Sequence, residues 1–68
     1  MQKKENKEKE ILEAAEKLFA EKGFKGVTTT LIAAEAGVTH AMLHYYFRTK
    51  DQIFLKVLDT YTVLPQFS

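Results

Sequence analysis

Cysteine is absent from the chain, which excludes a disulfide framework and any thiolate metal site. A small domain without disulfides suits a reducing compartment. No apolar run approaches the length needed to span a bilayer. The first ten residues, MQKKENKEKE, are polar with no apolar segment behind them. They do not read as a signal peptide, and the expected location is the cytoplasm. Internal repeats, low-complexity linkers and the alternation of a strand are missing too. A chain of 68 residues forms one small domain, which buries only about 60% of the surface its unfolded form exposes. That leaves no room for a second core or an enclosed ligand cavity. There is no Ser/His/Asp constellation and no pocket to hold one. The chain is therefore not expected to be an enzyme, and no catalytic residue or cofactor is assigned.

Charge is nearly balanced, at +1 overall, but it is unevenly placed. Residues 5 to 24 carry four lysines against six glutamates, a balance of −2. Residues 25 to 56 carry Lys25, Arg48, Lys50 and Lys56 against Glu35 and Asp51, a balance of +2, together with His40 and His44. The positive side coincides with the middle of the chain. Four cations over that length are equally compatible with ordinary solvated surface.

What is present is helical periodicity. From about Glu5 to Lys22, Ile11, Leu12, Ala15, Leu18 and Phe19 recur at spacings of three and four, one apolar stripe. The other faces are Glu and Lys, with Glu5–Lys9 and Glu13–Lys17 as i,i+4 pairs, and Asn6 is a candidate N-cap. Gly23 stops the helix in the manner of an αL terminator, and Phe24 is expected to fold back on the stripe. Lys25-Gly26-Val27 reads as a short connection. Thr28 caps a second helix, about 29 to 36, that buries Ile32, Ala33 and Ala36. Gly37 ends it and Val38 plugs the angle. Thr39 caps a third helix, about 40 to 47, with Leu43 and Phe47 inward. Thr49 caps a fourth, with Gln52 completing a T-x-x-Q capping box. This helix is expected to bury Ile53, Phe54, Val57 and Leu58 and to run to about Thr62 before Pro65 stops it. Phe19, Phe24, Phe47 and Phe54 are all expected in the core. The fold class is all-α: a small helical domain with a central helix-turn-helix, three helices plus the start of a fourth.

Residues 28 to 50, TTTLIAAEAGVTHAMLHYYFRTK, carry the function. Two helices crossing near a right angle need a small side chain at their approach and a turn with φ > 0; Ala33 and Gly37 meet these needs. The third helix is short enough, at roughly 12 Å for eight residues, to sit in a major groove of about 12 Å width. Its outward residues are Thr39, His40, His44 and Tyr45. Tyr45 and Tyr46 are adjacent and point about 100° apart, with Tyr45 expected to be the more exposed.

The runs ILEAAEKLFAEKGF and TTTLIAAEAGVTHAMLHYYFRTKDQI resemble the DNA-binding domain of TetR-type (tetracycline-repressor-like) transcriptional regulators. The resemblance covers about residues 8 to 58, in register and without gaps. It implies sequence-specific binding of double-stranded DNA, at a palindromic operator, by a bacterial repressor that works as a homodimer. The domain would be residues 1 to 60, with the helix-turn-helix at about 28 to 47, and 61 to 68 would begin a ligand-binding and dimerisation domain. By the same resemblance Thr28, Thr29 and Thr30 contact phosphate from the start of helix two. Thr39 and His40 lie at the groove-facing start of the recognition helix, Tyr45 and Tyr46 face DNA at its exit, and Lys50 reaches a phosphate from the fourth helix. Position 44 is usually Tyr in the family and is His44 here; position 31 is usually acidic and is Leu31. The recognition helix holds no Arg or Lys, so bidentate reading of guanine by Arg is not open to it. Reading falls instead on His40, Thr39 and Tyr45, with Ala41 or Met42 against a thymine methyl and His44 as a second histidine contact.

Two further readings stand beside this one. His40 and His44, at i,i+4, share a helix face and could chelate a metal. The residues between them supply no Glu base and only Glu35 offers a third ligand, so no metal site is assigned. A different functional class is a small protein–protein module docking through the apolar tail Tyr61, Val63, Leu64 and Phe67. A salt-independent, DNA-indifferent chain would favour that class.

Overall fold

The computed structural model describes residues 7 to 61, with side chains to residue 59. Asn6, the Glu5–Lys9 pair and the tail residues Val63, Leu64 and Phe67 lie outside the described residues. Four helices follow in order: α1 (Lys7–Lys22), α2 (Thr29–Ala36), α3 (His40–Tyr46) and α4 (Lys50–Tyr61). Among the described residues none of these helices is long and apolar enough to cross a membrane.

The amphipathic stripe of α1 supplies the largest share of the core. Ile11, Ala14, Ala15 and Leu18 are buried, and Leu12 and Phe19 pack at its edge. Ala14 joins the buried set, widening the expected stripe. Helix α1 packs on all three other helices, and α2 packs on α3. The core closes with Ile32 and Ala33 of α2, Leu43 of α3, Phe47, and Ile53 and Val57 of α4. Fully burying one such aliphatic side chain stabilises the fold by about 1.5–3 kcal/mol.

Val27 is also fully buried, although it sits in the connection between α1 and α2, where no helical period points to it. Other expectations are corrected outward. Leu58 is 40% exposed, on the flank of α4 rather than under it. Phe19, Phe24 and Phe54 are half-buried and form a three-ring cluster at the rim of the core. Centroids lie 5.8 Å apart for Phe19–Phe24, 5.2 Å for Phe19–Phe54 and 5.0 Å for Phe24–Phe54. The fold-back of Phe24 follows from Gly23, whose φ of 80° reverses the chain after Gly23 N–H donates to Phe19 O at 2.8 Å.

Lys17 does not pair with Glu13 as the i,i+4 spacing suggested. Its Nζ donates to Glu35 Oε2 of α2 at 3.0 Å. The Glu35 hydrogen bond, then the charges of Glu35 and Glu21, hold the Lys17 amine above its ordinary value. The exchange is between a weak local pair and a weak inter-helix pair, both exposed. The choice is made by α2 lying across α1.

Candidate nucleic-acid interface

Three threonines set where the central helices begin. Thr28 and Thr39 are extended (φ −121°, ψ 161° and φ −76°, ψ 159°), the conformation of an N-cap. Thr28 Oγ1 accepts from Leu31 N–H at 3.1 Å and Thr39 Oγ1 from Met42 N–H at 3.0 Å. Thr49 Oγ1 accepts from Gln52 N–H at 3.2 Å. The expected capping box is shifted by one residue: Gln52 Oε1 accepts from Arg48 N–H at 2.7 Å, not from Thr49. Each capping hydroxyl accepts through its oxygen and keeps its own proton for another acceptor.

The turn between α2 and α3 is a Schellman closure. Gly37 has φ 75° and donates to Ala34 O at 3.2 Å, and Val38 N–H reaches back to Ala33 O at 3.0 Å. Only glycine adopts that φ without penalty. The half-buried Val38 packs on the core behind it.

Helix α3 is attached by one buried side chain, Leu43. It ends one residue earlier than expected. Phe47 is extended (φ −138°, ψ 125°), which turns its ring into the core, 7% exposed. The recognition helix is therefore residues 40 to 46, about 10 Å long. His40, Ala41, Met42, Tyr45 and Tyr46 are exposed. Tyr45, at 82%, stands clear of the surface and Tyr46, at 38%, is partly covered, as the 100° offset required. Their rings meet edge to face at 5.1 Å.

The other sequence-assigned residues are placed as follows. Thr28, Thr30 and Thr39 are exposed and Thr29 is half-buried. Thr29 Oγ1 lies 3.0 Å from His40 Nε2, which joins the first residue of α2 to the first of α3. The His40 and His44 rings are 4.4 Å apart and tilted by 45°. His44, 100° round the helix from the buried Leu43, is only half exposed; its Nε2 is buried and makes no hydrogen bond among the described residues. That nitrogen faces the protein. Lys50 also turns inward: Nζ donates to Phe24 O at 2.7 Å and sits 4.1 Å above the Phe24 ring. Its ammonium ties α4 to the α1–α2 turn. Glu35, the candidate third metal ligand, is bonded to Lys17. No group of three His, Cys, Asp or Glu side chains suited to a metal is formed among the described residues. The Lys50 and Lys17 contacts join residues 26 and 18 apart, beyond any local pattern.

Residues 11–57 match the family described as bacterial regulatory proteins, tetR family. The chain is 41% identical over 61 residues to the HTH-type transcriptional regulator HbdR of Aromatoleum sp. (strain CIB), covering 84% of this chain and 27% of that protein. It is 38% identical over 50 residues to the HTH-type transcriptional regulator BetI of Brucella anthropi, covering 74% of this chain and 26% of BetI. Among solved structures, HlyIIR, a hemolysin II transcriptional regulator, superposes with a TM-score of 0.79 at 39% identity, over 87% of this chain and 35% of that one. The chain thus spans about a quarter of these curated relatives and about a third of the solved structure. It belongs to the TetR family of bacterial regulatory proteins.

Proposed function

We propose that the chain binds double-stranded DNA sequence-specifically, with α3 in the major groove and α2 crossing the sugar-phosphate backbone. The observation that carries this reading is the construction of α3. One leucine holds it inward while His40, Ala41, Met42 and Tyr45 all face out. A helix packed for its own stability would bury a stripe, not one residue. Thr28, Thr29 and Thr30 meet phosphate oxygens, Thr39 and His40 lie against base edges, and Ala41 and Met42 offer apolar contact to a thymine methyl. Tyr45 reaches the backbone on the exit side, with Tyr46 beside it. His44 supports the helix through His40 rather than touching a base.

The palindromic operator, homodimeric action, repression and a bacterial cytoplasmic location extend the reading to a longer protein. Half-sites about 34–36 Å apart need two copies of α3, and residues 61 to 68 would lead into the domain that brings them together.

Salt tests the reading. If the exposed cations Lys25 and Arg48 each neutralise one phosphate beside these threonines, affinity for a duplex should fall about 10-fold between 50 and 200 mM salt. Fluorescence anisotropy with a labelled duplex measures it. Affinity that stays level across that range contradicts phosphate-facing docking.

A further inference from the structure

We propose that Thr29 and His40 form a relay through which a phosphate contact dictates which base His40 accepts. In this relay His40 reads an amine-bearing base edge, adenine N6 or cytosine N4, and rejects guanine. The inference rests on the docking of α3 proposed above. Thr29 Oγ1 and His40 Nε2 are 3.0 Å apart, and only one proton can lie between them. A threonine hydroxyl has one proton, and a neutral imidazole carries one on one nitrogen. If Thr29 donates to His40, the histidine proton sits on Nδ1, which then donates outward. If Thr29 donates to a phosphate, His40 must donate from Nε2 to Thr29 Oγ1, and Nδ1 is left as a bare acceptor.

Docking decides between these states. A phosphate oxygen only accepts, and a hydrogen bond to an ionised acceptor is roughly twice as strong as a neutral one. Once α2 lies on the backbone, the Thr29 proton therefore goes to phosphate. His40 is exposed and opens α3, the end of a recognition helix that meets base edges. Its bare Nδ1 pairs with the amino group of adenine or cytosine. Against guanine N7 and O6, or thymine O4, it places lone pair on lone pair. The side chain lacking in α3, an arginine for guanine, is consistent with a groove position where guanine is not wanted.

The test selects bound duplexes from a random pool with the 68-residue chain, Thr29→Val and His40→Ala. Wild type should favour adenine or cytosine over guanine about ten-fold at one position of the half-site. His40→Ala should flatten that position and so identify it. Thr29→Val keeps the shape and removes the hydroxyl; it should cut the preference there to about two-fold or less and leave the other positions unchanged. In the wild-type complex, 15N shifts of His40 should report a protonated Nε2 and a bare Nδ1, a reading that depends on no variant folding. Guanine preferred at the His40 position, preference intact in Thr29→Val, or a proton on Nδ1 in the complex overturns the relay. Failure of wild type to bind any duplex removes the docking itself and the relay with it. Tight binding with an unchanged Thr29→Val preference removes the relay alone.

Discussion

Leu43→Ala should lower the unfolding free energy by about 2–5 kcal/mol, read from the urea midpoint by circular dichroism. A domain of this length has a total stability of only about 3–10 kcal/mol, so the loss takes a large share of it and, at the low end of that range, leaves the variant partly unfolded without denaturant. The reason lies in how α3 is held. Leu43 is the helix's one buried residue and is 0% exposed; of its neighbours on the helix only His44 is half-buried, and the others are exposed. A larger core helix would share the loss among several buried side chains; α3 has only the half-buried His44 beside Leu43. Leu43→Met keeps most of the volume and should cost less than about 1.5 kcal/mol. If Leu43→Ala melts within 1 kcal/mol of wild type, α3 is held by something other than this side chain.

Lys50→Ala should cost about 1.5–3 kcal/mol of stability, far above the ±0.5 kcal/mol usual for a surface lysine. Its ammonium makes a charge-assisted hydrogen bond of 2.7 Å to Phe24 O and lies over the Phe24 ring. The contact links α4 to the turn that follows α1. The half-exposed setting places the effect toward the lower end. Two roles for this residue are separable by experiment. A structural tether predicts lost stability with the salt slope of DNA binding unchanged. A phosphate contact predicts a slope smaller by about one with stability intact. The geometry favours the first.

The helix limits were legible because the signals that set them act over three or four residues. Thr28 and Thr39 cap α2 and α3, and Gly23 and Gly37 terminate α1 and α2 through positive φ. Most of the exposed face of α3 was legible for the same reason, since Leu43 and Phe47 set the inward register; His44, expected outward, is half-buried. Tertiary choices were not. Lys17 had a glutamate one turn away and another on α2, and proximity across helices selected Glu35. Val27 is buried because α1 and α2 close over the turn, not because of any period around it. Phe47 leaves the helix one residue early, extended and 7% exposed in the core, which no local pattern marks. The inward turn of His44 Nε2 and the capture of Lys50 by Phe24 likewise depend on what the fold brings alongside.

The central claim is that the surface made by the starts of α2 and α3 lies on DNA. The most direct measurement is a titration of the 15N-labelled chain with a duplex, followed amide by amide at low salt. Perturbed amides should cluster at Thr28 to Thr30, Thr39 to Ala41 and Tyr45, while Glu13 and Glu16 on the outer face of α1 stay still. Perturbations centred on the exposed Leu55 and Leu58 of α4, with Thr39 to Tyr45 unmoved, would contradict it.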